Sequence, residues 1–98
     1  MIERYVFVRL KPEHATERGR AEIMARSVAL AKLPGVLDLT IGVPADASAA
    51  SAWDLSLTLS FESLADVERY LEHPVHAAYH QGFLEARAQV IKAWSFEV

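Results

Sequence analysis

Residues 53–61 read WDLSLTLSF, with an apolar side chain at every odd position and a polar one at every even position. Strict alternation of this kind predicts a β-strand that has one face in the core. Three further stretches, residues 2–10, 36–43 and 90–98, are also predicted to be strands because they are rich in β-branched and aromatic residues or alternate in the same way. The chain therefore supplies four strands to a sheet.

A long helix is predicted between the first two strands. Thr16 is a suitable N-cap for a helix over residues 17–33, and Pro34-Gly35 ends that helix. The stretch 44–51 (PADASAAS) lies between the second and third strands. Because its residues are small and polar, we predict a flexible loop there.

Two more helices are predicted between the last two strands. Ser63 is a suitable cap for a short helix to about Glu72, and Pro74 suits the first turn of another helix that runs to about Ala88. The resulting order is βαββααβ. It predicts an α+β, ferredoxin-like fold with a four-stranded antiparallel sheet and helices on one side, in a single domain over residues 1–98.

Composition restricts the class of protein. The formal net charge is -3 and no basic stripe is present, so nucleic-acid binding has little electrostatic support. Cysteine is absent, which excludes disulfides and thiolate catalysis. The chain has neither a signal-peptide pattern nor an apolar run of the ~18 residues that a membrane helix needs. We expect a soluble cytoplasmic protein with no nucleic-acid or membrane partner.

Four aromatic side chains fall on the sheet face that the helices do not cover: Tyr5, Phe7, Trp94 and Phe96. Leaving such side chains in water forgoes about 1.5–3 kcal/mol each relative to burial. Packing against a second copy of the chain removes them from water, and two-fold symmetry is the commonest arrangement of such pairs. We therefore predict a homodimer through this open sheet face. The alternative is a monomer on which the aromatic residues are only partly exposed.

Several motifs resemble those of one known family. Residues 61–63 (FES), residues 70–76 (YLEHPVH) and Phe83 are similar to the stress-responsive dimeric α/β barrel (Dabb) domain family. The end of the first strand at 8–12 (VRLKP) and the turn at 33–36 (LPGV) are similar to it as well. The resemblance covers nearly the whole chain and implies the fold and the dimeric barrel predicted above. Many members of the family have no assigned activity.

The resemblance also implies candidate catalytic residues. Polyketide cyclases of this family, of the type that makes olivetolic acid, perform an intramolecular aldol condensation without a cofactor. Their catalytic Tyr and His match Tyr70 and His76 here. His76 falls in the first turn of the helix that begins at Pro74, where the helix dipole disfavours the imidazolium, so a neutral base is expected. The alternative is that both side chains make only structural hydrogen bonds.

The helix-facing side of the sheet, the first helix and His73 are predicted to bind the substrate. The predicted substrate-binding residues are Arg4, Val6, Val8, Ile23, Arg26, Leu55, Leu57, His73 and Ile91, with Leu30, Leu39 and Ala93 beside them. The cyclases have His at the positions of Arg4 and Leu55 and an aromatic residue at that of Arg26. Arg4 on an apolar face needs a counter-charge. Two interpretations of what compensates the charge of Arg4 stay open. One is Glu97 or solvent at the strand end, and the other is a substrate carboxylate that the guanidinium binds bidentately.

No cofactor is expected. His76 and His80 have a spacing that metal ligands can use, but no third ligand is evident, so no metal site is predicted. The sequence leaves three functions open. They are a cofactor-independent lyase or cyclase on a small keto or polyketide-like substrate, a non-catalytic stress-responsive dimer that binds a small apolar or keto-acid ligand or is purely structural, and, by fold analogy alone, a cofactor-free monooxygenase or degradation accessory.

Overall fold

The computed structural model describes residues Met1–Val98, and its strands form one antiparallel sheet in the order β2-β3-β1-β4. This is the strand order of a ferredoxin-like α+β fold, as predicted. The strands are β1 (Ile2–Leu10), β2 (Asp38–Gly42), β3 (Leu55–Phe61) and β4 (Ala88–Glu97). β1 and β3 lie in the middle of the sheet, and β2 and β4 form its two edges.

The helices are α1 (Glu17–Ser27), α2 (Ala47–Ala50), α3 (Leu64–Glu72), α4 (Pro74–Tyr79) and α5 (Glu85–Arg87). A 3₁₀ segment, Val28–Lys32, continues α1. A π-helical segment, His80–Leu84, joins α4 to α5, so the predicted third helix contains one wide turn. None of the helices has the length and the apolar character required to cross a bilayer.

The helix starts follow the predicted caps. Thr16 accepts a hydrogen bond from the Gly19 N–H at 2.9 Å, and Ser63 accepts one from the Asp66 N–H at 3.3 Å. His73 ends α3 in an extended conformation, which the following proline enforces. Its Nδ1 then accepts the Val75 N–H at 3.1 Å, so the same residue caps the start of α4. The break between α3 and α4 is therefore fixed by local chemistry.

The core fills the space between the sheet and the helices. The apolar positions of β3 are all buried, and Leu59 and Phe61 are 0% exposed. Ile23 of α1 and Leu84 of the π-helical segment cover the sheet from the helix side. Alternation in β3 therefore does what the sequence predicts, with one face in the core and the other on the open side of the sheet.

The structure differs from the prediction at the start of β3 and in the connection that precedes it. Trp53 precedes β3, because the pairing with β1 stops at Leu55 and the Asp54 carboxylate accepts the Leu10 N–H at 2.8 Å. The Trp53 ring consequently packs on Phe7, on the open sheet face, with the ring centroids 5.5 Å apart. The stretch 44–51 is not an irregular loop, since Asp46 caps the short helix α2 within it.

The open sheet face carries the predicted aromatic residues. Trp94 is 50% exposed and Phe96 55% exposed in the single chain. Tyr5 packs edge-on against Phe96, and Phe7 contacts Trp94 as well as Trp53. The aromatic side chains thus form a continuous apolar surface that no helix of this chain covers.

Candidate active site

A cavity of about 190 Å³ lies between the helix-facing side of the sheet and the helices α3 and α4. Nine of its twelve lining residues are hydrophobic, and none is acidic. The lining residues are Arg4, Val6, Leu30, Leu57, Tyr70, Leu71, His76, Tyr79, His80, Leu84, Ile91 and Ala93. The space beside the predicted catalytic pair is therefore open and is not packed solid by aliphatic side chains.

Tyr70 presents an unused hydroxyl to this cavity. The residue is 3% exposed, and its ring packs on Phe61 with the centroids 5.2 Å apart. No protein group forms a hydrogen bond with this hydroxyl, although the tyrosine ring that carries it is buried. Burial raises the pKa of Tyr70 far above its usual value, so the group stays protonated at neutral pH. It is an available neutral hydrogen-bond donor.

His76 lies beside Tyr70, with 4.6 Å between the two ring centroids. Its Nδ1 is 3.2 Å from the Leu71 carbonyl oxygen, which can only accept a hydrogen bond. The neutral ring must therefore carry its proton on Nδ1, which leaves Nε2 with a free lone pair. Burial lowers the pKa of His76, and the neighbouring His80 and Arg4 lower it further against the opposing effect of Leu71. His76 is thus a neutral base at physiological pH.

A second cavity tyrosine is not available in the same way. The Ser27 hydroxyl donates its one proton to the Ile23 carbonyl at 2.7 Å. The Tyr79 hydroxyl, 2.6 Å from the Ser27 oxygen, must therefore donate to Ser27. Tyr79 and Tyr70 are both buried tyrosines on neighbouring helices, but only Tyr70 has a proton to offer to a ligand.

Arg4 is the one full positive charge in the cavity lining. It is half-buried, and one of its terminal nitrogens donates to the Ser95 hydroxyl at 3.0 Å. No carboxylate forms an ion pair with it; Glu97, the partner considered from the sequence, does not. Burial lowers the pKa of Arg4, and Tyr70 opposes this shift. The guanidinium nonetheless stays charged because an arginine titrates far above neutral pH.

The structure brings together four of the nine predicted substrate-binding residues. Arg4, Val6, Leu57 and Ile91 line the cavity with the two predicted catalytic residues. The other five predicted residues do not line it: Val8, Ile23, Arg26, Leu55 and His73.

The reasons that these five side chains do not line the cavity are local. Val8, Ile23 and Leu55 are each 1% exposed and are fully used in core packing. The Arg26 guanidinium lies over the ring of Phe83, 4.3 Å from its centroid. His73 is held at the helix junction by its bond to the Val75 N–H. Each of these side chains is engaged by the fold rather than by the cavity.

Four lining residues were not predicted: Leu71, Tyr79, His80 and Leu84. His80 and Leu84 belong to the π-helical segment. Its wide turn contains one extra residue, so the side chains that follow are rotated to another face of the helix. A helical period of 3.6 residues, applied through that turn, places these side chains on the wrong face. Gly82 lies in this segment, and because glycine is a poor helix former it is the sequence signal that weakens the prediction of a regular helix there.

No three His, Asp or Glu side chains come together in the manner of a metal site. The rings of His76 and His80 are stacked, with their planes 8° apart and their centroids 5.8 Å apart. Nitrogen lone pairs lie in the plane of the ring, so stacked, parallel rings do not direct them to a common point. His80 instead contacts Glu85, with Nε2 3.3 Å from a carboxylate oxygen.

The sheet order and the cavity define the class: a ferredoxin-like α+β protein with a small, mostly apolar cavity between its sheet and its helices. The model of the stress-responsive A/B barrel domain family, Dabb, matches residues 2–93. The chain therefore belongs to the Dabb family, as its motifs indicate. No curated protein matches its sequence significantly.

Solved structures of the same fold cover almost the whole chain. A Dabb family protein from Mesorhizobium loti has a TM-score of 0.83 and 15% identity, covering 99% of this chain and 95% of that one. A hydroxynitrile lyase from Passiflora edulis has a TM-score of 0.83 and 18% identity, covering 99% and 92%. A dimeric ferredoxin-like protein of unknown function from Jannaschia has a TM-score of 0.77 and 26% identity, covering 99% and 98%.

Proposed function

We propose that this protein is a cofactor-independent lyase or cyclase that performs aldol-type chemistry on a small keto or polyketide-like substrate. His76 acts as the base, and Tyr70 binds the oxygen on which negative charge develops. The observation that supports this most strongly is the unused Tyr70 hydroxyl in an apolar cavity, next to a histidine whose Nε2 is free. A proton acceptor and an oxyanion donor so placed are the two groups that enolate formation needs.

The proposed reaction has two proton transfers that cancel. Nε2 of His76 takes a proton from a carbon next to a substrate carbonyl, and the electrons of that C–H bond form an enolate. The Tyr70 hydroxyl donates a hydrogen bond to the enolate oxygen. The enolate carbon then forms a bond to a second carbonyl carbon of the same molecule, and the π electrons of that carbonyl move onto its oxygen. The resulting alkoxide, still bound to carbon, takes the proton from the His76 imidazolium. The reverse sequence cleaves the same bond.

The size of the cavity supports a small substrate. Its volume of about 190 Å³ is below the range of about 300–1,000 Å³ found for drug-sized ligands. A long polyketide chain does not fit into that space without displacement of side chains. Among the substrates considered above, a short diketone or keto acid is therefore favoured over a long polyketide.

One structural neighbour supports lyase chemistry on this fold, since it is a hydroxynitrile lyase. Others are proteins of unknown function, which keeps the non-catalytic binding module as the competing interpretation. The two interpretations differ in a measurable property. A binder retains its ligand but does not accelerate proton removal, whereas the proposed enzyme does both.

Replacing Tyr70 by phenylalanine is expected to lower the rate of proton removal about a hundredfold, the loss typical for one oxyanion donor. The measurement is deuterium exchange at the carbons next to the carbonyl of hexane-2,5-dione, followed by proton NMR in heavy water. The matched control is Tyr79→Phe, which removes a hydroxyl that is already donating to Ser27. That variant is expected to keep the wild-type rate to within a few-fold, because the phenylalanine ring packs in the core as the tyrosine ring does.

Two results would contradict the proposed function. One is exchange no faster with the wild-type protein than with buffer alone, while the dione still binds. The other is equal exchange rates for the wild type and Tyr70→Phe. Either result would favour the binding module.

The proposal includes a homodimer formed through the open sheet face. It is supported by the continuous aromatic surface described above and by the dimeric assembly of similar proteins from Bacteroides fragilis, Thermobifida fusca and Jannaschia. A second cavity of about 150 Å³ beside Phe7 and Trp53 offers space for a side chain of the facing copy. The small side chains of Ser56 and Thr58 leave further room on that face.

The substitution Trp94→Glu is expected to convert the dimer into single chains of 10.9 kDa, because pairing would bury a carboxylate without a partner. Sedimentation velocity measures the change in mass. The matched control is Val28→Glu, which adds the same charge at a position that is 56% exposed on the helix side. A wild-type chain that sediments as a monomer at micromolar concentration, or a Trp94→Glu variant that stays dimeric, would refute this interface.

A further inference from the structure

We infer that the cavity selects substrates that carry a carboxylate, and that Arg4 is the residue that binds it. This inference rests on the proposed function for the role of the cavity, and it narrows the substrate class to short keto acids that carry a second ketone or aldehyde carbonyl. It concerns a position at which the cyclases of the family carry a different residue.

The first support is the unfinished pairing of Arg4. Its guanidinium has five N–H donors, and the structure assigns only one protein acceptor to them, the Ser95 hydroxyl. Arg20 and Arg69, by contrast, each form an ion pair with a carboxylate, that of Asp54 and that of Asp66 respectively. A half-buried guanidinium without a counter-charge is costly to retain unless a ligand supplies one.

The second support is the composition of the cavity wall. None of the twelve lining residues is Asp or Glu, so nothing repels an anion there. The remaining polar side chains are two tyrosines and two histidines, of which His76 is neutral at physiological pH. Arg4 is therefore the only fixed charge that a ligand in this cavity meets, in surroundings that are otherwise apolar.

The third support is the way Arg4 is held. Ser95 lies directly opposite Arg4 in the register between β4 and β1, so its hydroxyl reaches the guanidinium from the neighbouring strand. This bond fixes one end of the planar group and leaves the other free to bind two carboxylate oxygens at once. A site on paired strands is also more rigid than one on a loop.

Coupling to the catalytic pair follows from proximity. Burial is the main cause of the lowered pKa of His76, and the charge of Arg4, which lines the same cavity, adds to it; the same charge also acts on Tyr70. A carboxylate bound at Arg4 neutralises this effect and makes His76 a stronger base at the moment the substrate is present. A neutral ketone of the same shape leaves the charge of Arg4 in place.

The test compares 4-oxopentanoate with hexane-2,5-dione, two ligands of nearly the same shape that differ in a carboxylate. Binding is measured by NMR titration at constant ionic strength, without reference to turnover. The wild-type protein is expected to bind the acid about 10- to 100-fold more tightly than the dione, the range expected for hydrogen bonds to a charged group. Arg4→Gln is expected to abolish this preference, because the acid loses the guanidinium that binds its carboxylate.

Two further variants make the result specific. Arg4→Lys keeps the charge but not the planar fork, so an intermediate preference for the acid is expected. Arg18→Gln removes one positive charge from an exposed position on α1 outside the cavity, and it is expected to retain the full preference. Circular dichroism of each variant shows whether the fold is intact, and Arg4→Lys serves if Arg4→Gln does not fold.

Equal affinities of the wild type for the two ligands, or a preference that persists in Arg4→Gln, would overturn this inference. Failure of the proposed function has a different signature. In that case the acid still binds through Arg4, but exchange of its protons does not depend on Tyr70. If the inference fails while the proposed function holds, Tyr70-dependent exchange is observed with the neutral dione and the carboxylate brings no advantage.

Discussion

The substitution His76→Gln is expected to lower proton exchange at the carbons next to the substrate carbonyl by about 10²- to 10⁴-fold, the usual contribution of a general base. Glutamine has a similar size, and its amide N–H can replace the Nδ1–H bond to the Leu71 carbonyl. The side chain then fills its place but has no lone pair basic enough to remove a proton. The comparison with wild type is made with saturating ligand, so that altered binding does not enter.

The pH dependence gives an independent check on the same residue. Burial holds the pKa of His76 below its usual value of about 6.5. The exchange rate should therefore be constant around pH 7 and fall on acidification, as protonation removes the base. His14→Ala, in the connection between β1 and α1 and outside the cavity, is the control and should match wild type. Exchange that survives in His76→Gln, or a rate that rises on acidification, would exclude His76 as the base.

The second large effect concerns stability. Leu59→Ala is expected to lower the free energy of unfolding by about 2–5 kcal/mol, since it leaves a cavity in the centre of the sheet. Leu59 is 0% exposed and lies opposite Arg4 on one side and Leu39 on the other. A loss of that size is a large part of the total stability of about 5–15 kcal/mol typical of small domains.

The control for this prediction is the same substitution at an exposed site. Leu37 is 54% exposed, so Leu37→Ala should change the free energy of unfolding by about 0.5 kcal/mol or less. Both variants are unfolded in urea at one protein concentration, because the proposed dimerisation would make apparent stability depend on concentration. Equal losses for the two variants would show that Leu59 is not at the centre of the core.

The fold could be predicted from the sequence because its signals are local. Alternation in β3 and the caps at Thr16 and Ser63 each depend on neighbouring residues, and all appear in the structure. The start of β3 was misplaced because Trp53 looks like part of the alternation. Its actual position depends on where pairing with β1 stops, which is a contact between distant parts of the chain.

The candidate site was predictable in part for the same reason. Tyr70 and His76 are six positions apart, and the break at Pro74 that brings their rings together is visible in the sequence. Which of the apolar residues line a cavity and which fill the core is decided by packing. Val8 and Val6 lie on the same face of β1, yet only Val6 reaches the cavity. No periodicity distinguishes the two.

The edge position of β4 has a consequence for handling the protein. Over its ten residues this strand pairs with β1 on one side only, so the backbone N–H and C=O groups of its outer side have no strand partner within the chain. Such an edge is a template on which another chain can add a strand, and it leads to fibrillar aggregation when it is long and apolar. Variants such as Trp94→Glu, designed to disrupt the proposed dimer, should therefore be kept dilute, and the charges of Lys92 and Glu97 should not be removed from them.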